Sequence, residues 1–280
     1  MESIFLQIFG QIVRVDYDDQ FVETLISACY SAFVPASGIG QTPALTLIVR
    51  KSETGNHWTV DARDSSNRCD DVAELVYVIE KSMTIALQEL RSELYFVHAA
   101  AIALDNSCTL IVGESGAGKS TLCWNLCNTG FVYMSDELAP VHPETLEVEP
   151  YPHAICLKRD TLGSFPLPRQ TFTTAATMHV PIHLLPLPVA RNSTKIASII
   201  FLTQGDDDNP PEIEDISKSE AAARLYANSL NQLAHEHEGL AAASRLVSSA
   251  NCFRIERAGI REMREAVAEL IRSQAAITVQ

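Results

Sequence analysis

The first 95 residues alternate between extended and helical patterns of hydrophobic positions. Residues 4–17 read as extended chain, and "DQFVETLISACYSAF" (19–33) changes to helical spacing behind an Asp-rich start. "PALTLIVRKS" and "HWTVDAR", separated by "ETGN", predict a hairpin. The spacing then predicts a long amphipathic helix over about 70–93, opened by Asp70 and Asp71. Together these elements predict a small N-terminal α/β module over residues 1–93.

From residue 94 a second unit is expected, running to residue 280. "YFVHAAAIAL" and "CTLIVG" are strand-like runs joined by the turn "DNS". A glycine-rich loop follows, then a helix stopped by Gly130, then the strand "FVYMSDE". Residues 140–195, rich in Pro, His and Thr, predict loops and short strands. "IASIIFLT" reads as a buried strand and "QGDDDNPPEIED" as a solvated acidic turn. Two further helices are expected near 217–231 and 258–273.

Composition narrows the classes. No apolar run approaches the ~18–20 residues of a membrane span, and the acidic N-terminus does not read as a signal peptide, so a cytoplasmic protein without a membrane partner is expected. Seven cysteines, an odd number, point to free thiols; Cys123 and Cys127, four apart on a helix, read as buried and structural. A net charge of −14 disfavours a nucleic-acid partner, so any phosphate site must be local. "HEHEGL", with His235 and His237, resembles a metal tract only superficially.

One stretch carries chemistry. "GESGAGKS" fits G-x-x-x-x-G-K-[ST] and lies between a strand and a helix. Its backbone N–H groups and the helix N-terminus suit a polyanion, and the expected nucleotide contacts run over Gly113, Glu114, Ser115, Gly116, Ala117, Gly118, Lys119, Ser120 and Thr121. Lys119 can reach β- and γ-phosphates, while the Ser120 hydroxyl suits Mg²⁺. The anion this motif predicts is ATP or another nucleoside triphosphate.

Asp136 and Glu137 follow Lys119 by 17 and 18 residues. A nine-residue helix spans only ~14 Å, so the returning strand is expected beside the loop's strand, its end at the cradle. Either acid could then reach Mg²⁺ or an acceptor hydroxyl. His98 lies fifteen residues before Gly113, on the strand expected to pair with that of the loop. Lys158 and Arg159 are candidate cations for the transferred phosphoryl, and His153 beside them reads as structural.

With these residues assembled, the chain resembles the HPr kinase/phosphorylase family, whose core is similar to PEP carboxykinase. The resemblance rests on His98, "GESGAGKS", Gly130 and the pair Asp136–Glu137, in register over about residues 94–140. It implies an α/β fold with a P-loop-containing mixed-sheet kinase core and ATP-dependent phosphorylation of a serine hydroxyl. It further implies Asp136 as base toward the hydroxyl, Glu137 at the metal, His98 near the transferred phosphoryl, and an oligomer. The family's arginine-rich loop is missing, with only a trace of it around Arg191. The chain is similar to the HPr kinase-related branch, some of whose members resemble enzymes acting on the C-terminal serine of lasso-peptide precursors. The expected partner is thus a peptide or small protein. A metabolite kinase and an ATP-binding regulator remain open alternatives.

Overall fold

The computed structural model describes residues 1–35, 42–53, 55, 57–159, 164–205, 208–235 and 238–278. Residues 4–17 form a hairpin, not one strand: β1 (Glu2–Ile8) and β2 (Gln11–Tyr17) pair antiparallel about Phe9–Gly10. Helix α1 (Gln20–Tyr30) is capped by Asp19, whose carboxylate accepts from the Phe21 N–H. The expected hairpin is β3 (Leu45–Lys51) with β4 (Trp58–Ala62), and β5 (Ser65–Cys69) completes a sheet ordered β1-β2-β3-β4-β5. Four of the five β5 residues are exposed and polar, which is why the hydrophobic pattern does not signal this strand. Helix α2 (Val72–Leu90) starts at an Asp71 cap and buries Leu75, Ile79, Met83 and Leu87, a regular four-residue stripe, against that sheet.

The run "YFVHAAAIAL" breaks at His98 into β6 (Tyr95–Val97) and β7 (Ala99–Leu104). Then come β8 (Ser107–Val112), α3 (Lys119–Cys127), β9 (Val132–Ser135), β10 (Ala139–His142) and β11 (Glu147–Val148). The Pro-rich stretch holds a small sheet of β12 (Ile155–Lys158), β13 (Phe172–Thr173) and β14 (Thr177–Val180), in the order β12-β14-β13. The chain continues through β15 (Thr194–Thr203), β16 (Ile213–Asp215), α4 (Lys218–Ala227), α5 (Gln232–His235), α6 (Glu238–Ser249), β17 (Asn251–Glu256) and α7 (Ile260–Thr278). The sequence pattern does not announce α6 or β17: the helix is rich in Ala and Ser, and the strand is six residues long.

The large mixed sheet runs β6-β10-β11-β15-β8-β7-β9, with β17 paired to β15 and β16 to β17. β8, β15 and β17 are parallel, whereas β7 is antiparallel to both β8 and β9. β9 therefore does not lie beside β8 as the short helix suggests. β7 intervenes, and two reversals leave β9 pointing the same way as β8, so both strands end at the same edge. Alternate residues feed opposite faces: Leu110 and Val112 meet α4 and α6, while Ile111 meets α3 and α7. The first sheet's core extends past residue 93 to include Leu94, Phe96, Leu138, Tyr151 and Ala154. The molecule is a mixed α/β protein with several sheets, and among the described residues no helix is long and apolar enough to cross a membrane.

Candidate functional site

The glycine loop leaves the C-terminal end of β8 and enters α3 through Gly118, the helix N-cap at φ 93°. Gly116 stands at φ 88°. Both angles lie where an L side chain is strained, so the two glycines let the backbone turn inward twice within three residues. Lys119 is 6% exposed, and its ammonium donates to the carbonyls of Gly113 (2.7 Å) and Glu114 (3.1 Å). The loop's own carbonyl oxygens thus hold the charge. Burial lowers the Lys119 pKa, Lys158 adds to this, and Glu137 and Asp136 oppose it.

The loop borders a cleft of about 690 Å³. Of the sequence candidates, the cleft brings together His98, Ser115, Gly116, Gly118, Lys119, Ser120, Thr121, Glu137 and Lys158. Gly113, Glu114 and Ala117 face a second cavity of about 400 Å³ across the loop, beside Thr203 and Arg224. His98 sits at the β6–β7 break, its N–H donating to the Asn228 carbonyl (2.8 Å). Burial, and then the charge of Lys119, push its imidazole down to about 4, so it is neutral at neutral pH. Lys158, at the end of β12, brings Nζ to 3.4 Å from where a Cβ on Gly116 would stand.

Two candidates, Arg159 and Asp136, line neither cavity. Arg159 follows Lys158 on the other side of the chain, and its guanidinium donates to the Thr174 carbonyl (3.5 Å). Asp136 is 1% exposed and is held from three directions. The Tyr133 hydroxyl donates to Oδ1 (2.9 Å), the Cys156 N–H donates to Oδ2 (2.8 Å), and His153 Nε2 lies 3.4 Å from Oδ1. With its oxygens so occupied and facing inward, Asp136 does not line the cleft in this geometry.

The cause is local. Strand β9 ends at Ser135, one residue before the acids. The Ser135 hydroxyl donates to the Leu138 carbonyl (2.6 Å) and accepts from the Leu138 N–H (3.3 Å), which bends the chain. Asp136 goes into the core and Glu137 into the cleft. Burial, then Asp136 and Glu80, push the Glu137 carboxyl up to about 7, while His153 and Lys119 pull the other way.

Glu80 and His153 are further parts of this region that motif reasoning does not single out. Glu80 lies on α2, and with Tyr77, Lys81, Thr84 and Gln88 it lines the wall opposite the loop. Burial raises the Glu80 pKa; His153 lowers it and Asp136 adds to the rise. Burial alone would lower the His153 pKa, but Asp136, Glu80 and Glu137 outweigh it and the net direction is up. A helix from the N-terminal module thus supplies one side of the cleft, although no motif in that module marks it.

The donor set suits a magnesium triphosphate. The positive-φ glycines and the Lys119 ammonium form a cradle for phosphate, and Ser120 and Glu137 offer oxygen ligands on the same cleft. Among the described residues no group of three His, Cys, Asp or Glu side chains could hold a metal by itself. A hard cation sharing its ligands with substrate phosphates needs no such cage. All seven cysteines are free, and Cys123 and Cys127 are buried in α3. His235 is occupied by the Leu94 carbonyl (3.0 Å) and packs at a tilt against Tyr95, while His237 lies outside the described residues.

No family model matches the chain, and no curated protein matches it. Among solved structures it is similar to the HPr(Ser) kinase/phosphatase from Coxiella burnetii. The match covers 66% of this chain and 99% of that one, at 17% identity and a TM-score of 0.35. A likeness of that size carries no inference about activity, and the functional reading rests on the side chains themselves.

Proposed function

We propose that the protein is an ATP-dependent phosphotransferase that phosphorylates a serine hydroxyl of a peptide or small protein. The supporting observation is that one cleft joins a buried loop lysine, a metal-suited hydroxyl and a carboxylate poised near neutrality: Lys119, Ser120 and Glu137. The loop N–H groups and Lys119 hold the triphosphate, and Lys158 neutralises charge growing on the transferred group. Ser120 and Glu137 would hold Mg²⁺, which would supply positive charge to offset that of the triphosphate. Glu137, the carboxylate on the same cleft, accepts the proton of the attacking hydroxyl. His98, neutral beside Lys119, offers a hydrogen bond to the phosphoryl without adding charge.

The acceptor side favours a polypeptide over a metabolite. Residues Ala73 to Gln88 of α2 line the cleft, a stretch of ~22 Å at 1.5 Å per residue. An extended chain of about six or seven residues fills that length. Exposed Tyr77 and Leu230 also line the cleft and offer apolar contacts to residues flanking the hydroxyl. The family resemblance, not this geometry, points further to the C-terminal serine of a lasso-peptide precursor.

The test is transfer from γ-labelled ATP and Mg²⁺ to serine peptides and to hydroxylated metabolites, with Glu137→Gln as control. Label on a peptide serine that vanishes in the variant supports the proposal. Label confined to metabolites would replace it with a small-molecule kinase, and tight ATP binding without any transfer would leave a nucleotide-dependent regulator.

A further inference from the structure

His153 lies just ahead of β12 and is 3% exposed. Nδ1 lies 2.6 Å from the Ala154 carbonyl and donates to it, which fixes the ring's orientation. Tyr151 meets the ring edge-on at 5.0 Å, and Tyr30 lies at 6.4 Å. Nε2 is buried and makes no hydrogen bond, yet it faces two carboxylates from distant parts of the chain. Asp136 Oδ1 is 3.4 Å away and Glu80 Oε1 is 3.9 Å away. Glu80 belongs to α2, whose other face is locked into the first sheet, and Asp136 immediately precedes Glu137.

We propose that His153 and Glu80 are positioning residues: the buried imidazole ties α2 of the N-terminal module to the bend that aims Glu137, and the cleft transfers phosphoryl groups only while that tie holds. Packing alone does not account for the arrangement. A buried polar contact of this kind is commonly matched or bettered in stability by apolar residues of equal volume, so its contribution lies in fixing one geometry. Without the tie, α2 and the 136–137 bend keep their own cores, but the carboxylate and the acceptor wall lose their common register. Misplacing a reacting group by about 1 Å can cost ~100-fold in rate.

The proposal rests on the phosphotransferase reading, and the experiment separates the two. His153→Gln, Glu80→Gln and the double variant are compared with the wild type in three measurements: ATP affinity, single-turnover release of the γ-phosphoryl from MgATP to water, and amide hydrogen exchange along α2. Each single variant is expected to lose about 10-fold or more in turnover. ATP affinity should stay within about two-fold, because neither residue touches the glycine loop. Exchange along α2 should rise, and the double variant should be no worse than the more damaged single one. Glu80→Asp, which keeps the charge, should recover part of the turnover. Wild-type turnover in both single variants, or losses that multiply in the double variant, would overturn the tie. If His153→Gln does not fold, Glu80→Gln and Glu80→Asp decide the matter. If the wild type releases no phosphoryl group to water, the transferase reading is judged by the peptide assay above, and hydrogen exchange alone judges the tie: unchanged protection of α2 in the single variants rejects it.

Discussion

Replacing Glu137 by Gln should abolish transfer and at the same time stabilise the ligand-free protein, with a pH dependence set by the carboxyl's surroundings. The folded-state pKa of about 7 stands above the ordinary 4.5 because the group is buried near Asp136 and Glu80. Between these values the folded chain binds more protons than the unfolded one, so stability falls as pH rises. The cost is absent below pH 4.5 and complete above about 7. About 2.5 pH units at ~1.36 kcal/mol each set a ceiling of ~3.4 kcal/mol. Contact with cleft water and coupling among the three acids reduce this to about 2 kcal/mol. Glutamine keeps the shape and carries no charge, so Glu137→Gln should match the wild type at pH 4.5 and exceed it by about 2 kcal/mol at pH 8. The assay is urea unfolding of both proteins at the two pH values, in chelator and without nucleotide. An equal difference at both pH values, or a less stable variant at pH 8, would refute the burial argument.

Other perturbations separate the remaining roles. Lys119→Ala should weaken ATP binding about 10- to 100-fold in a titration, the worth of charge-assisted hydrogen bonds, while the fold persists. Asp136→Asn should behave unlike Glu137→Gln: it disrupts a buried carboxyl that accepts from the Tyr133 hydroxyl and the Cys156 N–H, and should lower unfolding stability by about 1–3 kcal/mol. An Asp136→Asn protein as stable as the wild type but inactive would return the base to that position. Lys158→Ala should slow transfer at least ~10-fold in a single-turnover assay, whereas Arg159→Ala should leave it within about two-fold.

What could be read from the sequence follows from how local each feature is. The loop from Gly113 to Ser120 is a contiguous motif between a strand and a helix, and local backbone preferences suffice to place it. His98 is legible through its offset before the loop, although it stands at the β6–β7 break and not on the strand itself. The orientation of the acid pair is not, because reading "FVYMSDE" as strand to its end assumes strict alternation. The Ser135–Leu138 hydrogen bonds stop the strand early and leave only Glu137 of the pair on the cleft. Glu80 and His153 lie 73 residues apart in the chain and meet only through tertiary packing, so no spacing rule finds them. Neighbouring Lys158 and Arg159 look equivalent as a basic pair, and they part because β12 ends at Lys158 and Arg159 lies in the turn beyond it.

The central claim is that Glu137, and not Asp136, faces the phosphoryl being moved. A crystal structure with Mg²⁺ and a non-hydrolysable ATP analogue tests it directly. The expected result puts a Glu137 oxygen within about 2.1 Å of the metal or in hydrogen-bond reach of a hydroxyl aligned with the γ-phosphate. Asp136 should still be held by the Tyr133 hydroxyl and the Cys156 N–H. An Asp136 carboxylate swung out onto the metal, with Glu137 turned away, would contradict the account.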